Sequence, residues 1–314
     1  QEILTLKGGS EWVSSVAFHE DVRISPTILQ RVSEAYRKMR NTLRYALGNL
    51  HDFDPEKDAV APGDMLEIDQ WAVLRAEDLV SRCRGFYDEY SFHKVYRALS
   101  DFCAVDLSAT YFDVLKDRLY TAAPAGRARR SAQTAVWRIT DALLRLLAPI
   151  LAFTTEEAWG HFRHRAGAPG SIHLAQFPNS GEVSAGMPEA ARGKTATWDR
   201  LIGVREAVLK ALETAREKKE IGSGLEAKVI LKADASLLPL LTEYQSQLPS
   251  LFIVSQVEVA PGSTDAVEVQ VVRAEGVKCE RCWKYTTDTG AVAAFPTCCK
   301  ACGEVVAGML GGQA

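Results

Sequence analysis

Cys279-x2-Cys282 and Cys299-x2-Cys302, with sixteen residues between the pairs, have metal-ligand spacing. Each pair can set two thiolates on one side of a tight turn, and two such turns facing each other complete a tetrahedron around Zn²⁺. Four protein thiolates leave no open position, so one such ion per chain would be structural and would not activate water. Its work would be to fold a segment too short for a core of its own, with binding on the order of 10 kcal/mol as in isolated zinc peptides. Gly303, after the last cysteine, is read as a turn position that favours positive φ. Cys298 offers a spacing of three in place of Cys299, and an iron–sulfur site or disulfides are the other readings of the cluster. Cys83 and Cys103 sit singly in helical patterns and read as core fillers.

Between and after the first two cysteines stand Arg281 and Trp283, with Lys278 and Lys284 flanking. An aromatic ring on a rigid turn among cations suits stacking on an unpaired base beside phosphate; the alternative is that Trp283 packs against the ribbon. Arg37, Arg40, Asn41 and Arg44 recur at spacings of three or four, with Lys38 among them. This stripe can track a phosphate backbone or be a solvated helix face. Arg127, Arg129 and Arg130 open a helix, where cations oppose its dipole, and this favours a paired or functional role. His161 and His164 read as surface residues. No phosphate loop, nucleophile elbow or paired carboxylates occur, so no catalytic residue is assigned and binding is the default role.

These groups need elements to hold them. Ser25-Pro26 predicts a helix start, followed by an apolar stripe of Ile28, Val32, Tyr36, Met39, Leu43, Leu47 and Leu50. Further helices are predicted over 66–87, from Ser91 towards Leu119, and over 128–147. Thr154 to Glu157 reads as a capping box opening a fifth. Stripes of this kind are buried against one another, so the fold class is mainly α: an antiparallel helical bundle, followed by a small α+β domain and a four-cysteine zinc ribbon. In the α+β part, 195–221 is read as a helix, AKVILKA as a strand, SLLPLLTEYQSQL as a helix, and FIVSQVEVA and VEVQVVRA as strands. The division is 1–24 as the remnant of a connection, 25–165 the bundle, 166–194 a Gly/Pro/Ala/Ser-rich linker, 195–276 the α+β unit and 277–314 the ribbon. A net charge of −3 excludes a uniformly basic binder, so charge distribution has to decide. The absence of a long apolar run or signal peptide predicts a cytoplasmic protein without membrane contact.

EDVRISPTILQRVSEAYRKMRNTLRYALGNL resembles the start of the anticodon-binding domain of isoleucyl-tRNA synthetases, and LAPILAFTTEEAWGHF resembles the end of that bundle. SIHLAQFP, REKKEIGSGLEAKV, KCERCWKYTTDTG and CCKACGEVV match further stations of the bacterial form in order, from Trp12 to Val306. The resemblance implies the C-terminal part of a class I enzyme, isoleucine–tRNA ligase, whose partner is isoleucine tRNA. It implies Cys279, Cys282, Cys299 and Cys302 as zinc ligands, Arg281 and Trp283 as anticodon-loop contacts, and Arg37, Arg40, Asn41 and Arg44 as a tRNA surface. The His-x-Gly-His and Lys-Met-Ser-Lys-Ser elements of the family are absent, so ATP and Mg²⁺ would enter only through a missing catalytic domain. The chain is expected to be a monomer, inactive by itself, that works with the catalytic and editing domains of the same enzyme; a free-standing tRNA-binding protein is the alternative. GGSEWVSS is shorter than the apolar helix the family carries there, so residues 1–12 read as a shortened junction left by truncation or as a frame difference.

Overall fold

Ser25 accepts a hydrogen bond from the backbone N–H of Ile28 (3.3 Å) and Pro26 fills the first turn, so α1 (Pro26–Asn49) starts where its sequence predicts. The computed structural model describes residues 4–6, 22–262 and 267–311. Most of the expected shortened junction lies outside the described residues; within them β1 (Leu4–Leu6) pairs antiparallel with β2 (Val22–Ile24). The helices continue as α2 (Glu67–Asp88), α3 (Phe92–Asp101), a π-helical run over Phe102–Tyr111, α4 (Phe112–Thr121), α5 (Arg127–Leu147) and α6 (Ala152–His161). The chain groups into two compact units that interleave along the sequence, whereas the divisions drawn from sequence are contiguous.

The first unit takes the described residues of Gln1–Gly63 with Ala72–Tyr111 and Gln133–Met187. Its core includes the fully buried Phe53, Leu79, Leu99, Leu107, Leu144 and Leu147, each worth about 1.5–3 kcal/mol relative to exposure. Cys83 and Cys103 are buried among them, and burial pushes their thiols up, to about 11 and about 12, which leaves them inert. The π-helical run leaves the Cys103 carbonyl accepting from the hydroxyls of Ser108 (2.7 Å) and Thr42 (3.3 Å). The α1 stripe is buried only in its second half, at Met39, Leu43, Ala46 and Leu50; Ile28, Leu29 and Val32 are exposed. Tyr36, whose hydroxyl shares a hydrogen bond with Thr154 (3.1 Å), marks where that packing begins.

The capping box predicted at Thr154 is not formed. The N-cap of α6 is Leu151, three residues earlier, the Thr155 hydroxyl donates back to the Leu151 carbonyl (3.0 Å), and Glu156 accepts from Ser171 Oγ and the Ile172 N–H, both at 3.0 Å. Residues 166–187 have little regular structure but are pinned: Glu77 accepts from the N–H groups of Gly181 (2.6 Å) and Ser184 (3.1 Å), and Arg138 donates to the carbonyls of Val183 and Ala185. His164 is half-buried rather than a surface residue, because its ring packs on Trp159 (4.0 Å between centroids) and bonds that residue's carbonyl (2.9 Å); His161 is exposed.

The second unit takes Asp64–Trp71, Phe112–Ala132 and the described residues of Pro188–Ala314. After α7 (Glu189–Gly193) and α8 (Thr195–Glu217) come β3 (Ala227–Ala233), α9 (Leu238–Glu243), α10 (Leu248–Phe252), β4 (Gln256–Pro261) and β5 (Glu268–Arg273). β3 is central, parallel to β4 and antiparallel to β5, with Val229 opposite Val257 and Val271. Its alternate residues Ala227, Val229, Leu231 and Ala233 are buried, as the period-two pattern requires. The single helix predicted over 236–248 is two short ones. Tyr244 turns inward between them, its ring meeting Trp198 (5.7 Å) and its hydroxyl donating to Glu67 (2.7 Å). The strand predicted from Phe252 begins only at Gln256, because Ile253 (φ 59°) ends α10 in the left-handed region.

Charges are paired inside this unit. Asp69 is fully buried and accepts two bonds from Arg118 (2.6 and 2.9 Å) and one from Ser131 (2.5 Å). Arg205 bonds Asp113 (2.6 Å) and the Leu251 carbonyl (2.9 Å). The arginines that oppose the α5 dipole are answered locally: Arg127 donates to the Asp64 carbonyl, and Arg129 to those of Leu119 and Pro124.

Candidate metal centre and nucleic-acid interface

The last elements are β6 (Val277–Lys278), β7 (Tyr285–Thr286) and α11 (Lys300–Gly311). β6 and β7 form a two-stranded ribbon whose tight entry depends on Gly276, where φ is 97° and a Cβ would lie 2.3 Å from the Thr286 carbonyl oxygen. Among residues 277–311 the buried ones are Cys279, Cys299, Cys302 and Gly303. A segment with no buried apolar side chain has nothing ordinary to hold it together.

Its sulfurs supply the substitute. The Sγ atoms of Cys279, Cys282, Cys299 and Cys302 all lie within 4.8 Å of one another, and those of Cys282 and Cys299 are 3.8 Å apart. A tetrahedron with sulfur about 2.3 Å from its centre has edges of about 3.8 Å, so the donor set fits a four-coordinate metal ion. The Cys279 N–H donates to the Lys284 carbonyl (2.9 Å), the Trp283 N–H to the Cys279 carbonyl (2.8 Å), and the Cys299 N–H to Cys279 Sγ (3.2 Å). Burial opposes ionisation of Cys279, but the N–H groups of Cys282, Cys299 and Arg281 outweigh it and bring the thiol down to about 6. Burial, then the neighbouring sulfurs, push Cys282 up and Cys299 up to about 11. Four thiols this close ionise together only around a cation, which a bound metal supplies. Cys298 packs against the cluster but is not one of the four. Gly303 is helical, not a positive-φ turn as its sequence position suggested; it is needed because a Cβ there would lie 2.8 Å from Val292.

Trp283 is 61% exposed and stands in the left-handed region (φ 64°), with Lys278 Nζ 5.7 Å from its ring centroid. The ring is therefore offered to solvent. Arg281, predicted as an RNA contact, is half-buried: one terminal nitrogen donates to the Thr121 carbonyl (2.5 Å) and lies 3.6 Å from Cys302 Sγ. Lys284 is paired with Asp117. In the first unit Arg37, Arg40, Asn41 and Arg44 lie along α1, with Arg37, Arg40 and Arg44 exposed and Asn41 between them. Arg37 Nε donates to the Ser33 carbonyl (3.3 Å), whereas Arg40 and Arg44 line a groove of about 520 Å³ with Thr154, Glu157 and His161. Sequence reasoning missed a cavity of about 360 Å³ that joins Trp283 to Tyr120 of α4. Its one signal was Tyr120 itself, an aromatic lying off the apolar stripe of its helix.

A family model described as the anticodon-binding domain of tRNA ligase matches residues 69–231. The chain belongs to this family. It is also similar to the isoleucine–tRNA ligase of Symbiobacterium thermophilum, 46% identical over 313 residues that cover 94% of this chain and 32% of that protein. The isoleucine–tRNA ligases of Syntrophotalea carbinolica (46% identical, 94% and 32% covered) and Desulforudis audaxviator (42%, 95% and 33%) resemble it over the same proportion. The chain thus spans about a third of the length of these curated relatives. Among the described residues no helix is long and apolar enough to cross a membrane.

Proposed function

We propose that this chain recognises the anticodon arm of isoleucine tRNA within an isoleucine–tRNA ligase, supporting the ATP-dependent attachment of isoleucine that the catalytic domain of such an enzyme performs. The metal is one structural Zn²⁺ held by Cys279, Cys282, Cys299 and Cys302. It closes the knuckle and takes no part in chemistry. The observation that carries the reading is Trp283: a large exposed ring in a costly backbone conformation, on a metal-fixed turn beside Lys278. Buried packing would not leave it there, and base stacking uses such a surface.

Arg281 contributes its charge from a fixed position, since part of its guanidinium serves Thr121 and Cys302. Arg37, Arg40, Asn41 and Arg44 supply phosphate contacts along α1, and the work belongs in the cytoplasm, where tRNA is charged. The family match and the isoleucine–tRNA ligase relatives support this reading. Competition of isoleucine tRNA against valine and methionine tRNA for the chain, by filter binding at fixed salt, tests it. Isoleucine tRNA should bind tightest. Equal affinity for all three would contradict it.

A further inference from the structure

Cys279, Cys282, Cys298, Cys299 and Cys302 offer one sulfur more than a tetrahedral ion can use. Cys298 is the surplus. It stands half-buried against the four donors and takes part in no disulfide. Its position is fixed from both sides. The Glu280 N–H donates to the Thr297 carbonyl (3.1 Å) and the Cys299 N–H to Cys279 Sγ (3.2 Å), so both neighbours of Cys298 are bonded to the 279–280 segment. Its own N–H donates to the Phe295 carbonyl (3.0 Å), and its carbonyl accepts from the Gly290 N–H (2.9 Å). The Cys298 and Cys279 sulfurs lie within hydrogen-bond reach of each other.

A thiol held against a metal-bound sulfur is placed to resolve its oxidation. Peroxide turns a cysteine sulfur into a sulfenic acid, which condenses with a neighbouring thiol; without that neighbour it goes on to sulfinic acid, which a dithiol does not reduce. We infer that Cys279 and Cys298 form a site of reversible oxidation, at which hydrogen peroxide joins the two sulfurs and opens the metal centre. Whichever sulfur peroxide strikes, the balance is the same. The O–O bond breaks, the struck sulfur takes a hydroxyl and one water leaves; the other sulfur then attacks it, the S–S bond forms and the hydroxyl leaves as a second water. The two sulfurs give two electrons to the peroxide. One proton comes from the Cys298 thiol and one from solvent, since a metal-bound Cys279 carries none. Cys282, Cys299 and Cys302 are left as three donors where a structural site needs four, and the turn that carries Trp283 loses its clamp. What that loss means for RNA rests on the tRNA-binding reading; the sulfur chemistry does not.

The test treats the 314-residue chain, loaded with Zn²⁺, with millimolar hydrogen peroxide. A chelating dye reads the released metal and tryptic mapping reads the disulfides. Trypsin cuts after Arg281 and Lys284, so Cys279, Cys282 and the Cys298–Cys299 pair fall in different peptides, and fragmentation between Cys298 and Cys299 assigns the sulfur. The parent should release about one metal per chain, link Cys279 to Cys298, and rebind metal after dithiothreitol and fresh Zn²⁺. Cys298→Ser should hold its metal beforehand but regain less than about half of it after the same cycle, with sulfinic acid on a ligand sulfur. A parent that keeps its metal in peroxide would overturn the pairing. So would a disulfide confined to the four ligand sulfurs or joining Cys298 to Cys299, and so would a Cys298→Ser chain that recovers as fully as the parent. A Cys298→Ser chain without metal before treatment would make Cys298 a ligand and overturn it too. None of these readouts uses RNA, so the pairing and tRNA binding are tested separately.

Discussion

In the first unit the buried side chains are large and apolar, Phe53, Leu79, Leu99 and Leu144 among them, whereas among residues 277–311 the buried side chains are sulfurs. The helices carry their own stabilisation in sequence, spread over many contacts of about 1.5–3 kcal/mol per large side chain. The knuckle concentrates its stabilisation in one donor set, and this frees Trp283 and Lys278 to face solvent. A metal-held surface can display groups that a hydrophobic core would have drawn inward.

The sharpest way to break that contrast is to remove the ion. Chelation should release about one metal per chain and unfold the knuckle, at a cost on the order of 10 kcal/mol to that segment alone, while the helical far-UV signal stays close to that of the parent. Loss of the helical signal on chelation would mean that the two regions are not held independently. A smaller effect comes from charge. Arg118→Ala leaves Asp69 buried and without its main cation, which should cost about 3–5 kcal/mol in denaturant unfolding. Arg37→Ala, on an exposed face, should stay within about 0.5 kcal/mol.

The smallest effect concerns Glu67. Burial works to raise its pKa, but bonds from Lys194 and Tyr244 outweigh it and hold the carboxyl below its usual 4.5. A depressed folded-state pKa contributes stability that is present above the unfolded value and is lost as pH falls through the folded one. The unfolding midpoint should therefore drop below pH 4.5, and Glu67→Gln should flatten that acid limb. An unchanged acid limb in the variant would exclude Glu67 as its source.

The sequence shows what local chemistry determines. Cysteine spacing places four sulfurs together because ligand geometry is set within a few residues, and Ser25-Pro26 starts α1 for the same reason. Long-range pairing is not legible in this way. Glu67 meets Tyr244 across 177 positions, and no periodicity announces it. The interleaving of the two units has the same origin, with Asp69 tied to Arg118 by a buried ion pair. Residue type also leaves a second use of one side chain unseen: Arg281 reads as an RNA contact, and nothing in the sequence announces that it bonds the end of α4 and lies against Cys302. The left-handed backbone of Trp283 has no sequence signal, since any residue can stand there at a cost.

That cost supplies the most direct test of the claim that the knuckle exists to present Trp283 to tRNA. Trp283→Gly removes a strain of about 1–2 kcal/mol, so the variant should hold its metal and be at least as stable as the parent. Its affinity for isoleucine tRNA should fall by about 1–3 kcal/mol, with the salt dependence nearly unchanged because no phosphate contact is lost. A variant that retains metal and binds isoleucine tRNA as tightly as the parent would contradict the account.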